Sequence, residues 1–270
     1  INLGSILIEI GNLKEAEEYL RKAIKINPKD AEAYLNLSII QYISNQISEC
    51  IINIEMAYSM NKKSRAIKLF HHIFKSKTKN KIKKGKYPTQ INSYKLTNNP
   101  LILSHTVNED HIKYLYKINS LNLNLINDPS FGNAKGSDYN LFSEDEYLYK
   151  NLNNNLINVA KNALQSDVYF HTSFFTILGK GGLIKKHNHI TNIDKLPGLE
   201  LSKMKYSLVY YLSVGDQSCN NPGILKFYEP NHEILPYKGM IIIFPADRYH
   251  SVVYDGQKDR VIIGVNFYRL

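Results

Sequence analysis

The chain has 270 residues, 43% hydrophobic content and a net charge of +10, which suits one large domain, or a smaller one plus an accessory unit, with a sizeable core. No run approaches the roughly 18 uncharged apolar residues of a membrane span, and no signal-peptide pattern opens the chain, so a cytoplasmic protein is expected. Cys50 and Cys219 are too few and too far apart for a disulfide framework or a thiolate metal site, and seven lysines between Lys75 and Lys86 make the charge excess local, without the aromatic ladder of a nucleic-acid groove.

The N-terminal third repeats with an offset of 34 residues: Leu3, Gly4, Ala16, Leu20 and Ala23 recur as Leu37, Ser38, Cys50, Ile54 and Ala57, and Pro28 closes the first unit. Small residues at fixed places let two helices approach closely while larger apolar ones fill the groove. The pattern resembles the tetratricopeptide repeat and predicts helical hairpins over residues 1 to about 28 and 29 to about 62, then a helix from Ser64 to Lys75. The resemblance implies binding of a protein partner. Two units are fewer than the roughly three a solenoid needs, and the chain starts at Ile1, so either further repeats upstream or a helical cap docked on the next domain is expected.

Residues 1–75 are thus assigned to the repeats and 76–100, rich in Lys and punctuated by Gly85, Pro88 and Pro100, to a linker. Residues 101–270 form the main domain. Ser143 to Glu146 has capping-box spacing ahead of Leu148, Leu152, Leu156, Val159, Ala160 and Leu164, which predicts an amphipathic helix. From Val168 the period changes to short β-branched and aromatic runs, namely 168–178, 206–214, 223–228, 239–244, 250–254 and 260–268. The class is therefore α+β, with helical hairpins followed by a jelly-roll barrel buttressed by helices.

His187 and His189 share one face of a strand, because side chains alternate. The pair alone fits a metal or an ordinary surface or core pair. His250 adds a third imidazole about sixty residues later, and Arg260 follows ten residues after it. A guanidinium on a barrel strand is costly to bury unless it meets an anion, and its fork suits a carboxylate. A salt bridge to Asp255 or Asp259 is the competing explanation.

Together these residues resemble the double-stranded β-helix of the 2-oxoglutarate- and Fe(II)-dependent dioxygenases, in particular the prolyl-hydroxylase-like branch. His187, His250 and Arg260 match the family's His, distal His and distal cation. The segment from Ser207 to Leu212 is similar to a strand that carries a hydroxyl residue and a Tyr, with Tyr211 at the Tyr position. The resemblance implies Fe(II) on His187, His189 and His250, and 2-oxoglutarate held by Arg260 and Tyr211, with Ser207 and Asn266 nearby. It also implies dioxygen as co-substrate and hydroxylation of an unactivated C–H in a protein, peptide or small molecule. The family's carboxylate ligand falls on His189; Asp194 is the alternative third ligand. The segment from Thr191 to Lys205 is expected to be a lid that sets specificity. Two other readings stand beside this one: a three-His iron dioxygenase that uses no 2-oxo acid, and a non-catalytic repeat protein whose barrel binds no iron.

Overall fold

In the computed structural model, residues 3–83, 99–121, 132–136, 141–143 and 147–270 are described. Contacts divide the chain into a helical unit (1–93 with 191–204 and 270) and a sheet unit (94–190 with 205–269).

The helical unit contains α1 (Leu3–Glu9), α2 (Leu13–Ile26), α3 (Ala31–Ile43), α4 (Ile47–Met60) and α5 (Arg65–Lys83). The repeat pattern explains their packing: Ala16, Cys50, Ile54 and Ala57 are wholly buried, so small side chains sit where helix axes approach. Asp30 caps α3 by accepting from the Glu32 and Ala33 amides, each at 3.1 Å, which satisfies two otherwise unpaired N–H groups. Burial pushes the Cys50 thiol up to about 12, consistent with a packing rather than a reactive role. One expectation needs correcting. The residues from 76 to 83, taken as linker from their charge, continue α5; lysine is intrinsically a good helix former. The rest of that stretch, 84–98, lies outside the described residues.

In the sheet unit, β1 (Leu101–Ser104), β2 (Gly132–Gly136), β3 (Val168–His187), β4 (Lys205–Val214), β5 (Leu225–Phe227), β6 (His232–Ile234), β7 (Met240–Pro245), β8 (His250–Tyr254) and β9 (Arg260–Arg269) pair antiparallel. Their order is β1-β7-β4-β9-β3-β8-β5-β6, with β2 also on β3. The long β3 makes the sheet curl: its first half pairs with β9 from Val168 to Leu178, and its second half with β8 from Gly182 to His187. The fold is thus the expected one, helical hairpins followed by a jelly-roll sheet buttressed by helices. The stretch ahead of β3 also supplies α6 (Glu109–Leu121) and α7 (Tyr147–Leu164), while most of the proposed capping box falls outside the described residues.

Each central strand has an outer and an inner face. The outer one packs Leu208, Tyr210, Val265 and Phe267 against Leu115, Leu152 and Leu156 of α6 and α7. The inner one gathers Leu178, Tyr211, Phe227, Ile242, Phe244, Val252 and Ile262 inside the curl. Tyr206 belongs with Tyr210 on the outer face, as period-two alternation requires.

A bulge decides what β3 presents inward. Ile184 stands opposite Val252 and His187 opposite His250, so three steps on β3 match two on β8. The extra residue reverses the alternation. From Phe174 to Ile184 the even-numbered apolar residues face the interior, and odd-numbered His187 and His189 face it afterwards.

Candidate functional site

The curl brings His187, His189 and His250 together: one ligand-capable nitrogen from each lies within 4.8 Å of the others. Ring centroids are 4.3 Å apart for His187 and His250, 4.9 Å for His187 and His189, and 5.0 Å for His189 and His250. His187 comes from the end of β3, His250 from the start of β8. The His189 amide donates to the Ala246 carbonyl at 2.8 Å, which ties its backbone to the chain leaving β7.

Two rings have their tautomer set by the backbone. The Nδ1 of His187 lies 2.8 Å from the Lys185 carbonyl and that of His250 3.1 Å from the Arg248 carbonyl. A carbonyl only accepts, so each Nδ1 carries the proton and each Nε2 keeps its lone pair for a metal. Burial lowers the His250 imidazole to about 4, helped by His187. Burial also holds His189 well below the ordinary value, helped by His250, His187 and Lys205. Both are neutral at physiological pH, as ligation demands.

Aromatic rings surround the cluster, Phe244 at 5.0 Å and Phe227 at 6.1 Å from His250, and Phe174 at 6.3 Å from His189. The far end of the Phe174 ring fills the space over Gly264, where a Cβ would come within 2.3 Å of it. Strand alternation alone could have flagged Phe174 as inward-facing; the missing side chain at Gly264 that admits the ring could not be foreseen.

Arg260 opens β9 on the same inner face. It is 2% exposed, its guanidinium stands 5.0 Å from the centre of the Tyr211 ring, and its Nε has no hydrogen-bond partner. The two acids that would explain it structurally are engaged elsewhere: Asp259 accepts from the Tyr116 hydroxyl at 2.8 Å, and Asp255 from the Asn221 amide. No ion pair joins Arg260 to a carboxylate among the described residues. The Tyr211 hydroxyl is also buried, with no partner in good hydrogen-bond geometry; burial raises its phenol, and the Arg260 charge and the approach of its guanidinium work against that rise. A buried cation left unpaired costs on the order of several kcal/mol. Such a cation beside an orphaned hydroxyl is the complement of a carboxylate.

Ser207 and Asn266 also face inward but form a separate row. The Ser207 hydroxyl donates to Asn266 Oδ1 at 2.7 Å, and Asn266 Nδ2 donates to Thr172 Oγ1 at 3.0 Å. Asn266 is six residues from Arg260 on β9, roughly 20 Å at strand rise. The structure therefore pairs Arg260 with Tyr211, and Ser207 with Asn266, and does not bring the four together.

Asp194 takes no part in the cluster. Its carboxylate accepts from the amide and the hydroxyl of Thr191, both at 2.8 Å, in a capping box at the head of a 3₁₀ turn. Three imidazoles without a carboxylate suit a borderline divalent ion such as ferrous iron.

Residues 1–30 match the family model of the tetratricopeptide repeat. No curated protein matches the chain. Among solved structures it resembles a prolyl-4-hydroxylase of Pseudomonas putida (17% identity, TM-score 0.45, covering 65% of this chain and 95% of that one). A Trichoplax adhaerens prolyl hydroxylase in complex with a hypoxia-inducible-factor peptide fragment is similar at 14% identity, with a TM-score of 0.47 and coverage of 72% and 92%. HygX of Streptomyces hygroscopicus, with nickel and 2-oxoglutarate bound, is similar at 12%, 0.48, and 68% and 88%. Among the described residues no helix is long and apolar enough to cross a membrane.

Proposed function

We propose that the chain is an Fe(II)- and 2-oxoglutarate-dependent dioxygenase that hydroxylates an unactivated C–H of a protein, peptide or small molecule. The observation that carries this is the pairing of a three-imidazole cluster with a buried Arg260 that has no carboxylate of its own. His187, His189 and His250 would hold the metal, which supplies the dioxygen chemistry when bound. Arg260 and Tyr211 would bind and orient the distal carboxylate of the 2-oxo acid. Phe174, Phe227 and Phe244 keep water from the rings and fix their orientation. Three ligands on one side of an ion leave coordination positions open on the other for exogenous ligands.

A second reading is favoured by one residue. His189 stands where the resemblance places a carboxylate, and a three-His dioxygenase without a 2-oxo acid accounts for it directly. That reading gives Arg260 and Tyr211 no task. Anaerobic titration with Fe(II) and 2-oxoglutarate, followed by visible absorbance, separates the two. A weak charge-transfer band that disappears in Arg260→Ala supports the first; iron binding without the band supports the second. Protein that takes up no iron points to a non-catalytic barrel.

A further inference from the structure

The groove of the helical repeats already holds a piece of this chain. The first helices of successive hairpins, α1, α3 and α5, line a cavity of about 220 Å³ with Ile8, Leu35, Ile39 and Phe70, and its remaining wall includes Ile193 and Leu196. Both belong to the segment 191–204, which packs as part of the helical unit. The Thr191–Asp194 box stiffens its start; Leu199 and Leu201 are buried further along. Gly198 adopts φ +79°, and a Cβ there would sit 3.0 Å from the Ile43 side chain, so only glycine suits both its conformation and its seat.

The segment begins two residues after His189 and ends where β4 starts at Lys205. We infer that the repeat groove is the internal seat of segment 191–204, and that seating it there positions the residues just past β3, His189 among them. This rests on the metal reading of His189. It assigns the repeats a different task from recruiting an outside peptide: any such peptide would have to displace the chain's own segment. Ile43, Ile193, Leu196 and Gly198 are then positioning residues that act on the metal centre through chain continuity.

The test uses the full chain with two variants, Ile193→Asp/Leu196→Asp and, independently, Gly198→Val. Tryptic cleavage after Lys195 is followed by mass spectrometry, and Mn(II) affinity is measured by electron paramagnetic resonance. The expected result is slow cleavage in the wild type, about tenfold faster cleavage in both variants, and Mn(II) affinity about tenfold weaker. Rapid cleavage in the wild type overturns the seat. A released segment with unchanged Mn(II) affinity overturns the positioning of His189. Wild-type protein that stays protected but binds no Mn(II) overturns the metal reading and leaves the seat standing.

Discussion

The two faces of β4 and β9 are built on the same backbone and differ in what they tolerate. Outward, Leu208, Tyr210, Val265 and Phe267 are fully or almost fully buried and pack against apolar helix residues. Inward, the same strands carry Ser207, Tyr211, Arg260 and Asn266, and two of these four have a buried polar atom with no partner. A strand stabilised from its outer side can carry unsatisfied groups on its inner side. Chemistry is placed where the fold least depends on it.

This contrast can be broken at either face. The largest effect is expected on the inner side: His250→Ala should weaken Co(II) or Fe(II) binding by about a hundredfold or more, read by metal titration, and abolish turnover. Retained metal at wild-type affinity would remove His250 from the centre. On the outer side, Leu208→Ala should destabilise the fold by about 2–5 kcal/mol in urea unfolding. It should leave the three imidazoles in place, so metal affinity of the folded protein is preserved.

Arg260→Met sharpens the comparison because its two effects have opposite signs. Without ligands the variant should be more stable than wild type by about 1–4 kcal/mol, since a buried charge gives way to an apolar chain of similar length. 2-Oxoglutarate should no longer raise the melting temperature of the metal-loaded protein. A destabilised variant would mean that Arg260 has a structural partner after all.

The smallest effect is a dependence on pH. His250 titrates at about 4 in the folded protein, against an ordinary 6.5. Between those values the unfolded chain binds a proton that the folded chain does not, so stability without metal should fall as pH drops from about 6.5 towards 4. His250→Gln should make that part of the profile shallower, with the remaining slope due to His189, measured as the urea midpoint against pH.

Much of the fold was legible because its signals are local. The 34-residue offset of small residues marks the hairpins, and short β-branched and aromatic runs between turn residues mark β4, β7, β8 and β9. The three imidazoles were also legible, since spacing on a strand fixes a shared face. The separation of Arg260 from Asn266 follows from six steps along one strand, whereas what each meets on β4 required the register between distant segments. The role of Asp194 was missed for a different reason. Thr191 and Asp194 have capping-box spacing, but no apolar helical run follows to draw attention to it. Nothing in residues 191–204 taken alone indicates which side chains receive them, because the complementary surface lies on helices more than a hundred residues earlier.

The inward direction of the metal-binding rings depends on a count of residues. Between Ile184 and His187, β3 carries one residue more than its partner. Were the three steps from Ile184 to His187 taken in strict alternation, every histidine would remain in the chain, yet both rings of the pair would point outward. Residue identity carries no trace of that difference. Its consequence would equal the loss of two ligands at once, so the bulge between Ile184 and His187 is as much a part of the site's specification as the histidines themselves.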